Sequence, residues 1–117
     1  MENVKEVFEK LGKDINSAID EPWETAELLI EASPTHSGFN GSYLNSNGEK
    51  KNLRIRKFSA DSGFLVIALN ARTSEGVDKW NRAIFKMTSD GKFNMEFSWD
   101  QDLQDSWDAL DGKPLYK

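Results

Sequence analysis

The residues whose types could do chemistry are few, and their spacing narrows that chemistry further. His36 is the single histidine of a 117-residue chain that contains no cysteine. A histidine metal cluster, a thiolate nucleophile and a cysteine-based zinc site are therefore all excluded. A histidine in "SPTHSG" could serve as a general base, but no nucleophile motif links it to Ser33, Thr35 or Ser37, and it reads as a surface-loop side chain. "GFNG" and "SDGK" lack the glycine spacing and the strand-to-helix context of phosphate-binding loops. "DEPWE" brings Asp20, Glu21 and Glu24 close in sequence and reads as a helix end followed by solvated charge. Asp100, Asp102, Asp105, Asp108 and Asp111 offer oxygen ligands for a hard cation, but the run lacks the central glycine and closing glutamate of a calcium-binding loop. The expectation is a non-enzymatic binding protein with no cofactor and no metal.

Charge distribution is the more informative feature. Twenty acidic against fifteen basic residues give a net charge of −5, which disfavours nucleic acid or an anionic membrane and favours a basic partner. From Phe93 to Gly112 the only charged residues are acidic, Glu96 and the five aspartates, while Lys50, Lys51, Arg54, Arg56 and Lys57 gather elsewhere. A one-sided acidic end with an aromatic in it has the make-up of a docking face: complementary charge speeds encounter and an aromatic anchors the complex. Asp100, Asp102, Asp105, Trp107 and Asp108 are the candidate contact residues. Trp107 also shares a helical stripe with Leu103 and Leu110, so a core position is the competing reading.

The elements that must position these residues follow from periodicity. Val4, Val7, Phe8, Leu11, Ile15, Ala18 and Ile19 recur at three and four residues and predict an amphipathic helix, ended by Glu21-Pro22 because the residue before proline is pushed out of the α region. In "WETAELLIEA", Ala26, Leu28, Ile30 and Ala32 alternate with Thr25, Glu27 and Glu31 as in a half-buried strand, with Leu29 the one breach. "SPTHSG" is a loop. Two further strands are expected around a turn at 45–48, with Phe39 and Tyr43 on the first and Leu53 and Ile55 on the second. The apolar run 64–69 suits either a buried strand or a buried helix. A helix is the choice, with Ser59 or Asp61 as cap, Phe64, Ile67, Ala68 and Ala71 one turn apart, and Gly76 as the stop.

"KWNRAIFKMT" and "KFNMEFSWD" then form a hairpin across Ser89-Asp90-Gly91, where glycine supplies the positive φ that a tight turn needs. Phe93, Met95, Phe97 and Trp99 share one face of its second strand, and that face is expected to be core. "DQDLQDSWDALDGK" closes the chain as a short helix. The expected fold is α+β: an antiparallel β-sheet meander packed by the N-terminal and middle helices, with a short C-terminal helix, in one domain spanning 1–117. "ENVKEVFEKLGKD" after Met1 is charged at helical intervals, unlike a signal peptide, and no apolar run reaches the roughly 20 residues of a membrane helix. A cytoplasmic protein with no membrane partner is expected.

An N-terminal helix ending in Asp20-Glu21-Pro22-Trp23-Glu24, a strand meander, a helix, a Trp80-bearing strand and then "SDGKFNMEFSWD" together resemble the YezG-like antitoxin (immunity) family. Its members are small α+β proteins that neutralise cognate bacterial polymorphic toxins, several of them nucleases. The resemblance implies an inhibitor that works by binding, with no cofactor. Together with the acidic end it leads to the expectation of a cognate, basic toxin domain as partner, a monomer or weak dimer, and Asp100, Asp102, Asp105, Trp107 and Asp108 at the toxin contact. Two other readings stay open: a small adaptor or secretion chaperone holding a client segment, and a small enzyme built on carboxylates alone.

Overall fold

The computed structural model describes residues 4–111. Helix α1 (Val4–Ala18) forms on the expected stripe, with Val7, Leu11, Ile15 and Ala18 buried. Full burial of a side chain such as Leu11 or Ile15 stabilises the fold by about 1.5–3 kcal/mol each. The chain leaves the helix before Pro22 and enters β1 (Trp23–Ala32), where Ala26, Leu28, Ile30 and Ala32 turn inward while Leu29 is 41% exposed on the opposite face. β1 lies at the centre of the sheet. It pairs antiparallel with β2 (Ser37–Asn45) on one side and β4 (Arg82–Thr88) on the other, with β3 (Lys50–Asn52) outside β2 and β5 (Phe93–Ser98) outside β4.

The strands 23–52 thus form the expected meander, and every pairing in the five-stranded sheet is antiparallel. The last strand of the meander is only three residues long. Ile55, expected on it, falls instead in a 3-10 turn at Ile55–Lys57. The cause is Leu53, whose N–H donates to the Gly41 carbonyl and whose side chain is buried over Gly41, drawing the chain off the sheet edge and onto its face. A Cβ at position 41 would lie 2.5 Å from the Glu27 carbonyl oxygen and 2.8 Å from Leu53 Cδ1, so only glycine admits this approach.

The β2–β3 and β4–β5 hairpins use the same turn. The Asn45 carbonyl accepts from Gly48 N–H at 3.0 Å and Asn45 N–H donates to Glu49 at 2.9 Å. The Thr88 carbonyl accepts from Gly91 N–H at 3.0 Å and Thr88 N–H donates to Lys92 at 2.8 Å. Gly48 and Gly91 adopt φ of +84° and +93°. These are three-residue loops with a glycine in the left-handed region, which restores the right-handed twist of the strands.

Helix α2 (Ala60–Thr73) carries the chain over one face of the sheet, so the helical choice for 64–69 holds. Its buried side is Ser62, Val66, Leu69 and Asn70, however, and Phe64 is 69% exposed. Polar groups sit inward because they find partners. Ser62 donates to the buried Asp14 carboxylate of α1, and Asn70 Nδ2 donates to the Trp80 carbonyl at 2.7 Å. The helix stops at Thr73, whose hydroxyl accepts from Trp80 Nε1 at 2.9 Å. Gly76, expected as the stop, instead begins a 3-10 turn at Gly76–Asp78. Both α1 and α2 lie on the face that carries Leu28, Ile30 and Phe85.

The apolar face of β5 also differs from expectation. Phe93 and Phe97 share the helix-side face with Met95, yet they are 47% and 43% exposed. Phe8 of α1 reaches Phe93 with ring centroids 5.3 Å apart, and Trp80 packs on Phe97 at 4.8 Å. The helices extend no further, so this face is the rim of the core rather than its interior.

Candidate binding surface

Helix α3 (Gln101–Asp111) carries most of the candidate contact residues, and its start is fixed by β4. Asn81 holds the backbone of Asp100 from both sides, its Oδ1 accepting from Asp100 N–H at 2.8 Å and its Nδ2 donating to the Asp100 carbonyl at 2.9 Å. The Asp100 carboxylate then caps the helix by accepting from Leu103 N–H at 3.1 Å, as aspartate does at an N-cap. Its other oxygen takes Arg82 Nε at 2.7 Å, and Arg82 Nη1 reaches Glu31 at 3.1 Å. The Arg82 guanidinium, with the Leu103 N–H next, holds the Asp100 carboxyl below the usual carboxylate range, and Asp100 in turn pushes Arg82 further up. Just before the cap, Lys79 Nζ sits 4.4 Å from the Trp99 ring centroid.

Further along α3, Gln101 Nε2 donates to Asp105 at 2.8 Å and Gln104 Nε2 to Asp108 at 2.9 Å. These one-turn bonds orient the carboxylates without neutralising them. Asp102, Asp105 and Asp108 are exposed, and none of the three meets a lysine or arginine among the described residues. Trp107 is half-buried against His36, the two rings meeting edge to face with centroids 4.4 Å apart. Leu110 is 65% exposed, so the apolar stripe of α3 is seated only through Leu103 and Trp107.

The expected contact residues therefore divide into two groups. Asp100 is committed to the cap and to Arg82, and Trp107 to the β1–β2 loop. Asp102, Asp105 and Asp108 stand outward with their charge available. Asp111 is the last residue described, and its side chain lies outside the described set.

Three further features escape sequence reasoning. Asn81 and Arg82 anchor α3, which follows from the β4–β5 register that sets Arg82 opposite Ser98, two residues before Asp100. His36 is a packing partner: its Nδ1 is hydrogen-bonded to Ser33 Oγ at 2.9 Å, and that oxygen also accepts from the Thr35 and His36 N–H groups. Glu21, in the "DEPWE" segment, is the centre of a polar cluster. It accepts from Tyr43 Oη at 2.5 Å and from Asn45 Nδ2 at 3.3 Å, and pairs with Lys51 at 3.2 Å. The Tyr43 hydroxyl, then Lys51, holds the Glu21 carboxyl below its usual range, while Glu21 pushes Tyr43 up to about 12.

The sheet face opposite α1 and α2 bears a shallow cleft of about 540 Å³ lined by Thr25, Glu27, Leu44, Lys50, Lys86 and Thr88. Three lysines, Lys50, Lys86 and Lys92, outnumber its one carboxylate, Glu27, so its lining is basic on balance. No group of three or more His, Asp or Glu side chains converges on a possible metal position among the described residues, and no helix there is long and apolar enough to cross a membrane. No family model matches the chain, and no curated protein matches it.

Proposed function

We propose that the chain is a cytoplasmic immunity-type protein that binds a basic toxin domain and blocks its substrate-binding surface. The observation that carries this reading is the outer side of α3: Asp102, Asp105 and Asp108 are exposed and meet no lysine or arginine among the described residues, and glutamine side chains orient Asp105 and Asp108. Such a surface is complementary to the basic channel of an enzyme that acts on polyanions, and its charge steers encounter. The resemblance of "PWE" and "SDGKFNMEFSWD" to YezG-like immunity proteins supports the same reading. Inhibition of this kind needs no catalytic group or cofactor, only a preformed surface on a firmly capped helix.

The test is Asp105→Lys with Asp108→Lys, measured against the toxin domain encoded beside the protein. Association slows roughly tenfold or more at low salt, and the difference shrinks at high salt, where the screening length falls to a few ångströms. Circular dichroism and melting stay near wild type, because neither carboxylate holds the fold together. An association rate unchanged by the double reversal would refute α3 as the docking surface.

A further inference from the structure

We propose that the free edge of β5 is a self-association surface, pairing antiparallel with β5 of a second copy about a two-fold axis through Met95. The backbone decides which groups are available. Thr88 N–H donates to the Lys92 carbonyl across the β4–β5 hairpin, and along an antiparallel pair the residues that bond the neighbouring strand alternate with those that do not. Following the register from Lys92, the N–H and C=O groups of Asn94, Glu96 and Ser98 point to β4, while those of Phe93, Met95 and Phe97 point away from it. β5 ends the sheet, and among the described residues nothing outside the sheet hydrogen-bonds to these outward groups.

Sheets protect such edges with proline, lysine, a bulge or an inward-pointing charge. The strand Phe93–Ser98 contains none of these: its register with β4 is unbroken, and its one charge, Glu96, lies on the face opposite the helices.

The occupant follows from the sequence of the strand, which is nearly palindromic: Phe93-Asn94-Met95-Glu96-Phe97. A two-fold axis at Met95 sets Met95 against its own copy, Phe93 against Phe97 and Asn94 against Glu96. Each pair shares a face, each carboxylate meets an amide, and each outward backbone group meets its complement. Moving the axis to Glu96 would bring two carboxylates together in the close, non-bonded position, which is repulsive. Moving it to Asn94 would set Phe97 against Gly91, whose N–H already donates to Thr88 at 3.0 Å. In the Met95 arrangement the half-exposed rings of Phe93 and Phe97 cover one another across the new seam, and a cross-strand aromatic pair adds to the stability of such a contact.

Sedimentation of the wild-type protein over a range of concentrations reads the association directly, and a monomer–dimer equilibrium is the expected result. Met95→Pro removes an outward N–H, at a place where an edge strand tolerates proline, together with a half-buried side chain at the rim of the core. It should fold with a wild-type circular dichroism spectrum and weaken the dimer by about tenfold or more. Since proline could also disturb the strand, cysteine cross-linking in this cysteine-free chain gives an independent reading. Directly bonded partners lie about 5.5 Å apart at Cα, within reach of a disulfide. Met95→Cys oxidised with diamide should therefore yield a covalent dimer, whereas Phe93→Cys, whose mate is Phe97, should stay monomeric under the same treatment. A wild-type protein that remains monomeric up to millimolar concentration overturns the proposal and leaves the edge to an extended segment of some other protein. Equal cross-linking by the two cysteine variants overturns it as well.

Discussion

Trp107 of α3 meets His36 of the β1–β2 loop edge to face, with ring centroids 4.4 Å apart. Together with the half-buried Leu103 and the Asp100 cap, this contact holds an otherwise solvated helix against the sheet. An aromatic pair in this geometry contributes about 0.5–1.5 kcal/mol beyond its buried area. A double-mutant cycle with His36→Ala and Trp107→Ala should return a coupling energy in that range. Trp107→Ala should also speed amide exchange throughout α3 while β1 and β4 keep their protection. If α3 docks a toxin as proposed above, His36→Ala alone should leave the rate of association with it unchanged, because the ring packs on Trp107 from the β1–β2 loop and lies off the acidic outer side of α3. A fall in that rate in a folded His36→Ala protein would mean that the ring does more than pack.

Two glycines test the backbone argument from opposite directions. Gly41 lacks room for a Cβ against the Glu27 carbonyl, so Gly41→Ala must push β1 and β2 apart or displace Leu53, costing about 1–3 kcal/mol as overpacking does. At Gly91 there is open space but a φ of +93°. Gly91→Val should therefore cost about 1 kcal/mol or more through conformation alone. Gly91→Asn should recover part of that loss, whereas no larger residue rescues position 41. Chemical denaturation of the three variants separates the causes.

Much of this architecture is legible in the sequence where the determining forces are local. The alternation in "WETAELLIEA" identifies β1 and even its exposed Leu29, and the three- and four-residue spacing of Val7, Leu11 and Ile15 identifies the buried side of α1. The failures arise where distant partners decide. Periodicity places Phe93, Met95 and Phe97 on one face but is silent on how far α1 reaches across it, and Phe8 is where its cover ends. Hydrophobicity points to Phe64 as the inner side of α2, yet the helix turns Ser62 and Asn70 inward because Asp14 and the Trp80 carbonyl await them. The acidic run shows that α3 is charged. Only the position of Arg82 separates Asp100, which holds the helix, from Asp102, Asp105 and Asp108, which face solvent.

The Glu21–Tyr43 hydrogen bond should be visible as an alkaline titration. Tyr43 is one of two tyrosines, and its hydroxyl is pushed up to about 12, chiefly by its bond to Glu21. Because the folded value lies above the ordinary one near 10, the bond's contribution is complete below pH 10. It is lost as pH rises from there towards 12. Ultraviolet difference titration should show one late-ionising tyrosine in the wild type. Glu21→Gln should move it back towards the ordinary value, and Tyr43→Phe should remove it and flatten the alkaline decline in melting temperature. A late tyrosine unaffected by Glu21→Gln would mean that burial, not the carboxylate, sets its ionisation.

Asp100 gives the acid counterpart, and it bears directly on the helix proposed to dock. Arg82 and the Leu103 N–H hold its carboxyl below the ordinary range, so the charged form contributes stability above the unfolded value near 4. That contribution disappears as pH falls through and below it. The melting temperature of the wild type should therefore fall more steeply between about pH 5 and pH 3 than that of Asp100→Asn, which keeps a capping oxygen but has no proton to gain. Asp100→Ala loses both cap and ion pair and should melt a few degrees lower at neutral pH, in the range common for N-cap deletions. Its effect on a partner should also differ in kind from charge reversal at Asp105 and Asp108. Loosening α3 shortens the life of the complex, whereas removing exposed charge slows its formation. Stopped-flow association and dissociation rates for the two variants distinguish these cases. A dissociation rate unchanged in Asp100→Ala would mean that the partner holds α3 in place without its cap.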